Sequence, residues 1–187
     1  MSERATLYSD PNCPFCYATE VRLHALGLAD RVDWCGVEHS PELAVPMAAA
    51  GPALAAELPA EVESVSARAP EVEIAVPPGK PKTELAIRYG AAALRRDPAA
   101  GRGFIRSLYR AFWADGADLS DPAVLDRLAD AAGLDRLRPD DEDTATAREW
   151  RRNWQRTGLG GVPLIIRVDG RSLYGLVDSE ELAAFLG

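Results

Sequence analysis

Two cysteines separated by two residues, Cys13 and Cys16, stand in the segment DPNCPFCYAT. This spacing suits a redox-active dithiol, one half of a zinc site, or two thiols that are merely close together. Turn-favouring residues end a short β-like run before the pair, and the residues after it have helical spacing. Cys13 is therefore predicted at the first turn of a helix, where unpaired N–H groups and the helix dipole stabilise a thiolate.

Cys16 follows Cys13 by almost one helical turn and is predicted to face the same side. In this interpretation Cys13 is the nucleophile that attacks a substrate disulfide, and Cys16 resolves the mixed disulfide. Pro14 suits the first helical position. Phe15 is predicted at the exposed lip, in a position to contact a substrate peptide.

A second signal lies far along the chain, at Val162 and Pro163, after a glycine-rich stretch. Proline is tolerated at the first residue of a strand, and the bond before it can be cis at modest cost. A cis-Pro163 beside the dithiol would present the backbone of Val162 to a bound substrate chain. The alternative is a trans loop proline that only precedes a strand.

Zinc binding is the structural alternative for the cysteine pair. Cys13, Cys16, Cys35 and His39 have spacings found in four-ligand zinc sites. Against this, Cys35 falls inside a predicted strand, and zinc sites usually occupy tight loops. Cys35 is otherwise interpreted as a small buried apolar residue, and His39 as a loop histidine. His24, in the first predicted helix, is expected to be solvated and without a partner.

The elements around these residues follow the order β-α-β, a long helical block, then β-β-α. Strands are predicted at 4–9 and 31–37, and the first helix at 14–26. A late hairpin is predicted from VPLIIRV and RSLYGL joined by a two-residue DG turn, and Asp178 is expected to cap the last helix. The helices of the middle block are predicted at 52–65, 83–96, 102–113, 122–132 and 141–156, with 71–82 as an extended, proline-rich connector.

This order predicts an α/β fold in which residues 1–40 and 157–187 form one discontinuous domain and 41–156 an inserted helical domain. Trp150 and Trp154, four residues apart, are predicted to be core. Trp113 also lies on a helix of the insertion, and an alternative interpretation places Phe112 or Trp113 on a groove facing the dithiol, where it would shape an apolar substrate pocket.

Composition limits the function further. The formal net charge of −8 argues against a nucleic-acid binder, since phosphate affinity depends on clustered cations. No apolar run is long enough to cross a membrane. The polar start lacks the apolar core of a secretory signal, so a cytoplasmic location is expected. Three cysteines do not suggest a stabilising disulfide framework. The sequence leaves both a monomer and a homodimer open.

The sequence resembles the thioredoxin-fold thiol–disulfide oxidoreductases of the DsbA-like branch, including the FrnE-type and 2-hydroxychromene-2-carboxylate isomerase-like groups. The resemblance covers nearly the whole chain. It is carried by these segments: Cys13 to Cys16, Gly161 to Pro163, Lys82-Thr83 with Ala86, Leu108-Tyr109 with Ala111-Phe112, Asp118 to Asp121, and Gly133-Leu134. It implies a thioredoxin-like fold with a long all-helical insertion, no bound cofactor or metal, and protein or small-molecule thiols and disulfides as partners.

Two features set the chain apart within this resemblance. The isomerase and glutathione transferase members usually carry serine at the position of Cys13, so a complete dithiol favours redox work. A glutathione-dependent isomerase or transferase acting on a small hydrophobic substrate is the alternative. Phe15 stands where strongly oxidising periplasmic members carry histidine, which implies a less oxidising couple. Asp178 and Ser179 lie where glutathione-using relatives hold the glutamyl end, although Asp178 could simply cap its helix.

Overall fold

Four strands form one mixed sheet in the order β2-β1-β3-β4 in the computed structural model, which describes residues 4–187. Strand β1 (Ala5–Ser9) runs parallel to β2 (Val32–Gly36) and antiparallel to β3 (Leu164–Ile166). Strand β4 (Ser172–Tyr174) pairs antiparallel with β3 at the far edge. The predicted late strands therefore lie directly beside the first one. Residues 1–3, which the predicted first domain includes, lie outside the described residues.

Seven α-helices and one short 3₁₀ helix (Ala29–Arg31) accompany the sheet within residues 4–187. The α-helices are α1 (Pro14–Ala25), α2 (Pro52–Arg68), α3 (Glu84–Arg96), α4 (Pro98–Trp113), α5 (Pro122–Ala131), α6 (Asp141–Arg156) and α7 (Ser179–Leu186). The predicted α/β class and helical middle block are confirmed. Helix α2 ends three residues later than predicted, and α4 begins four residues earlier because Asp97 caps it through the N–H groups of Ala99 and Ala100.

Local caps explain where several helices begin. Asp121 accepts a hydrogen bond from the N–H of Ala123, and Pro122 occupies the first helical position. Asp178 likewise accepts from the N–H of Glu181, as predicted. Asp140 and Asp143 form a reciprocal capping box at the start of α6. Arg95 of α3 donates to both carboxylates of that box, which fixes α6 against α3.

The predicted two-residue DG turn of the late hairpin is wrong. The N–H of Arg167 donates to the carbonyl of Arg171, so Val168, Asp169 and Gly170 form a three-residue loop. Gly170 has a φ of 83°, which a residue with a side chain rarely adopts. A three-residue loop closed by a left-handed glycine is a common hairpin connection, so the DG pair predicted the hairpin but not its loop length.

The core joins the sheet to helices from both the ends and the middle of the chain. Tyr109, Phe112 and Trp113 of α4 are buried completely, together with Leu23 of α1. Trp150 and Trp154, predicted as core, are only partly buried and pack at its margin. No helix among residues 4–187 is both long enough and apolar enough to cross a membrane.

Candidate active site

The turn that carries Cys13 directly follows strand β1. The N–H of Cys13 donates to the carbonyl of Asp10 at 3.0 Å, which closes the turn. Cys13 has extended backbone angles at the N-cap of α1, and its carbonyl accepts the first helical hydrogen bond from Tyr17 at 3.1 Å. Pro14 is the first helical residue and is buried, whereas Phe15 is half-buried. Cys13 thus faces the unpaired N–H groups of the first turn.

Cys13 and Cys16 are free thiols in side-chain hydrogen-bond contact, and each is buried. Burial opposes the ionisation of Cys13, but hydrogen bonds from the thiol and backbone of Cys16, together with the nearby His39, lower its pKa. Burial raises the pKa of Cys16 well above its usual value, and donation to Cys13 raises it further. One thiol of the pair is therefore set to ionise while the other keeps its proton.

A buried carboxylate and a histidine lie beside this turn. Asp10 is fully buried, and its Oδ2 lies 2.6 Å from Nδ1 of His39 and accepts the backbone N–H of His39 at 2.9 Å. Burial opposes a charge on His39, but the hydrogen bond to Asp10 outweighs it and raises the pKa of the imidazole. Asp10 and His39 thus form an ion pair beside the turn, and its positive member stabilises a negative charge on Cys13.

The Val162–Pro163 segment, the second signal in the sequence, lies beside the cysteine pair. The carbonyl oxygen of Val162 is 3.7 Å from Sγ of Cys13, and the bond between Val162 and Pro163 is cis. Nε1 of Trp154 donates to the carbonyl of Gly161 at 3.1 Å, so α6 holds the segment that precedes the proline. The structure therefore brings together Cys13, Cys16, Val162 and Pro163, which are separated by nearly the whole chain.

Buried polar contacts support the turn from below. Trp113 Nε1 donates to the carbonyl of Pro11 at 3.0 Å, so this tryptophan lies under the turn and not on an open groove. Asn12 Nδ2 donates to the carbonyl of Pro81 at 2.9 Å, which ties the proline-rich connector to the turn. These contacts fix the backbone on either side of Cys13 and were not apparent from the sequence.

A network of hydrogen bonds between polar side chains also lies beside Cys16. Ser9 hydrogen-bonds to Cys16, which favours the ionised form of that thiol, and its hydroxyl lies 2.5 Å from the hydroxyl of Tyr109. Trp34 Nε1 donates to the same tyrosine oxygen at 3.1 Å. Strands β1 and β2 and helix α4 therefore meet beside Cys16, where the buried polar groups satisfy one another.

Other predicted residues lie elsewhere or have other partners. Among residues 4–187 no three or more histidine, cysteine or acidic side chains are grouped to hold a metal ion, so the four candidate zinc ligands do not converge. Cys35 is half-buried, and its pKa is raised to about 12 by burial and by nearby Asp33 and Glu149. The expectation that His24 has no partner is wrong, because its Nε2 lies 3.0 Å from Oε1 of Glu20.

Asp178 and Ser179, the candidate glutathione contacts, lie at the start of α7. The capping hydrogen bond of Asp178 occupies one of its carboxylate oxygens. A glutathione contact at these two residues therefore stays a prediction.

Comparison with known proteins agrees with this arrangement. The family model described as the DSBA-like thioredoxin domain matches residues 5–187, so the chain belongs to that family. The predicted thioredoxin-like fold with its large helical content is thereby confirmed. A search of curated protein sequences gives no match.

Solved structures of the same fold include functionally different proteins. A candidate protein disulfide isomerase from Nitrosomonas europaea has 18% identity and a TM-score of 0.79, with 98% of this chain and 96% of that chain covered. The cytosolic disulfide reductase DsbM from Pseudomonas aeruginosa, solved with GSH, has 17% identity and a TM-score of 0.74 over 98% and 96% of the two chains. A 2-hydroxychromene-2-carboxylate isomerase has 15% identity and a TM-score of 0.66 over 97% and 91%.

Proposed function

We propose that this protein is a thiol–disulfide oxidoreductase in which Cys13 is the nucleophile and Cys16 the resolving thiol. The observation that carries the proposal is the contrast within one pair: at the start of α1, the pKa of Cys13 is lowered and that of Cys16 is raised. A lowered pKa raises the fraction of Cys13 that is thiolate, while Cys16 stays protonated until it is needed. Membership of the DSBA-like family supports the same chemistry.

The proposed reaction exchanges two electrons between dithiol and disulfide. The Cys13 thiolate attacks one sulfur of a substrate disulfide, forms a mixed disulfide, and expels the other sulfur as a thiolate that takes up a proton. Cys16 then loses its proton to solvent and attacks Sγ of Cys13, which releases the second substrate thiolate. The substrate is reduced to two thiols and the protein is oxidised to a Cys13–Cys16 disulfide. A small-molecule thiol such as glutathione restores the dithiol by the reverse exchange.

His39 and Asp10 have a supporting role in this scheme. Asp10 accepts the backbone N–H of His39 and hydrogen-bonds to its ring, and the ring contact favours the charged imidazole. The charged imidazole stabilises the Cys13 thiolate before attack, and again when the disulfide is reduced and Cys13 is released as a thiolate. His39 acts through the thiolate and does not contact substrate in this proposal, so it is a positioning residue.

The substrate is proposed to bind along the exposed backbone beside Cys13. The half-buried Val162 lies next to the sulfur and offers its backbone to an extended peptide, as strand-adding recognition requires. Buried Pro14 and Pro163 would line the base of this binding surface, and half-buried Phe15 would supply an apolar contact.

We further propose a cytoplasmic location. We also propose two domains, in which the ends of the chain carry the dithiol and residues 41–156 form a separate helical domain.

A Cys16→Ser variant gives the most informative test. This variant should accumulate a mixed disulfide between Cys13 and a disulfide peptide, visible as a mass increase equal to one half of the peptide, because the resolving thiol is missing. The matched control is Cys35→Ser, which leaves both proposed catalytic thiols in place and should turn over normally. The proposal fails if Cys16→Ser retains full turnover, or if the adduct forms on Cys35.

The same variant separates the redox proposal from a glutathione-dependent isomerase or transferase, a function for which the structural likeness to an isomerase gives a reason. Conjugation or isomerisation needs one activated thiol and should survive Cys16→Ser, whereas dithiol turnover should not. Survival of a glutathione-dependent activity on a small hydrophobic substrate, together with unaltered kinetics in Cys16→Ser, would favour the second function.

A further inference from the structure

A cleft of about 270 Å³ lies beside the proposed active site, bounded by the end of β2 and by helices α3 and α6. We call it the charged cleft, because four cationic side chains line it: Lys82, Arg88, Arg148 and Arg151. Glu38 and Glu84 are its acidic members. This local excess of positive charge stands out in a chain whose formal net charge is −8.

Two of these cations have no partner among residues 4–187. Arg148 makes no hydrogen bond or ion pair with any part of the chain that the structure describes, and Nε of Arg88 is buried without a partner there. Lys82 instead donates to the carbonyl of Pro41 at 3.0 Å, and Arg151 lies 3.9 Å from the carboxylate of Glu38. The guanidinium groups of Arg88 and Arg148 are thus available to a ligand, and paired N–H donors of this kind suit a carboxylate.

Glu38 provides a second, independent indication of a ligand. Its residue is only 7% exposed, and its Oε1 is buried with no hydrogen-bond partner among residues 4–187. Buried acceptors are nearly always satisfied, so an unpaired one lining a cleft indicates a donor supplied from outside the chain. A ligand that carries both a carboxylate and an N–H group would pair with the arginines and with Oε1 of Glu38.

Two residues that line the charged cleft adjoin residues that hydrogen-bond to the turn carrying Cys13. Lys82 directly follows Pro81, whose carbonyl accepts the side chain of Asn12. Glu38 directly precedes His39, which hydrogen-bonds to Asp10. These two connections link the cleft to the turn, and the assignment of the cleft to the substrate depends on them.

We propose that the charged cleft is a substrate subsite that selects peptide disulfides with an acidic residue close to the reacting cysteine. The acidic side chain binds Arg88 and Arg148, and a backbone N–H of the peptide binds Oε1 of Glu38. This inference rests on the proposed oxidoreductase function and names the substrate class for it.

The test uses three disulfide peptides that differ at only one position near the cysteine. The residue at that position is Asp, Asn or Lys. For the wild-type protein, kcat/KM should be about tenfold higher for the Asp peptide than for the Asn peptide, and lowest for the Lys peptide, because a hydrogen-bonded ion pair is gained. Added salt should shrink the difference between Asp and Asn peptides. This series needs no variant, so it stands whether or not the arginine substitutions fold.

A double variant, Arg88→Gln with Arg148→Gln, then locates the selectivity. It should lose the preference for Asp, so that kcat/KM becomes similar for the Asp and Asn peptides. The matched control is Arg127→Gln with Arg171→Gln, which removes the same net charge from exposed positions outside the cleft and should keep the preference.

The outcomes separate the two proposals. Cys13-dependent turnover of all three peptides at equal rates, or equal loss of preference in both double variants, overturns the cleft assignment alone. No Cys13-dependent turnover of any disulfide overturns the proposed function. A preference for Asp that persists in Arg88→Gln with Arg148→Gln assigns the selectivity to another surface and also overturns the inference.

Discussion

The first turn of α1 and the middle of strand β2 each hold a cysteine, Cys13 and Cys35. Cys13 is the more buried of the two, yet its pKa is lowered, whereas that of Cys35 is raised to about 12. The difference lies in the neighbours: hydrogen-bond donors and a charged histidine surround Cys13, while Asp33 and Glu149 lie near Cys35. Burial alone therefore does not decide whether a thiol is reactive; the sign of the surrounding charge and the hydrogen bonds decide it.

Exchanging each cysteine for serine gives the largest expected contrast. Cys13→Ser should reduce turnover of a disulfide peptide to the uncatalysed background, because the attacking sulfur is gone. Cys35→Ser should leave turnover unchanged, since a thiol with so high a pKa holds almost no thiolate at neutral pH. Steady-state assays of the two variants at equal concentration check this. Comparable losses in both variants would remove the basis of the comparison.

The second-largest effect is expected from Trp113, which hydrogen-bonds to the turn before Cys13. Trp113→Phe removes the donor to the carbonyl of Pro11 and leaves that oxygen buried and unpaired, so the free energy of unfolding should fall by about 1–3 kcal/mol. Turnover should fall as well, because this bond fixes the backbone before Cys13. Urea unfolding and disulfide reduction measure the two effects. Trp150→Phe, at the partly buried margin of the core, is the control and should leave turnover close to wild type.

A smaller effect is expected from the ion pair beside Cys13. His39→Gln removes the positive charge, so the pKa of Cys13 should rise and the rate of alkylation at neutral pH should fall. His24→Gln, a histidine bonded to Glu20 in the same helix as Cys16, is the matched control and should leave that rate unchanged. An unchanged pH profile for His39→Gln would contradict the role assigned to the pair.

The smallest predicted effect is on stability. The pKa of His39 is raised by Asp10, so the stabilisation by the charged pair is full below the unfolded pKa of roughly 6.5 and is lost as pH rises through the folded value. In a Cys13→Ser, Cys16→Ser background, which removes the titration of both thiols, the unfolding free energy should therefore decline over that window. Adding Asp10→Asn should flatten the decline. A stability that rises with pH there would be inconsistent with the ion pair.

Local sequence signals accounted for much of the fold and for the dithiol. Caps at Asp121 and Asp178, the helix after Cys13, and the late hairpin all depend on neighbouring residues, so they could be predicted. The hairpin loop was one residue longer than predicted, because a DG pair is compatible with more than one loop length.

The supporting contacts could not be predicted because they join distant parts of the chain. Nothing in the sequence around His39 indicates that its ring lies 2.6 Å from the carboxylate of Asp10, or that Trp113 donates to Pro11. Such pairs follow from how strands and helices pack, which hydrophobic periodicity does not specify. The only hint in the sequence that Asp10 has a role at the site is its position three residues before Cys13.

The most direct test is to titrate the individual thiols. The pH dependence of alkylation, followed by mass spectrometry at Cys13 and Cys35 in the reduced protein, gives each pKa separately. Cys13 should titrate below the roughly 8.5 of a free cysteine, and Cys35 far above it. If Cys13 titrated at or above the free value, no thiolate would be poised at the start of α1, and the proposed mechanism would be wrong.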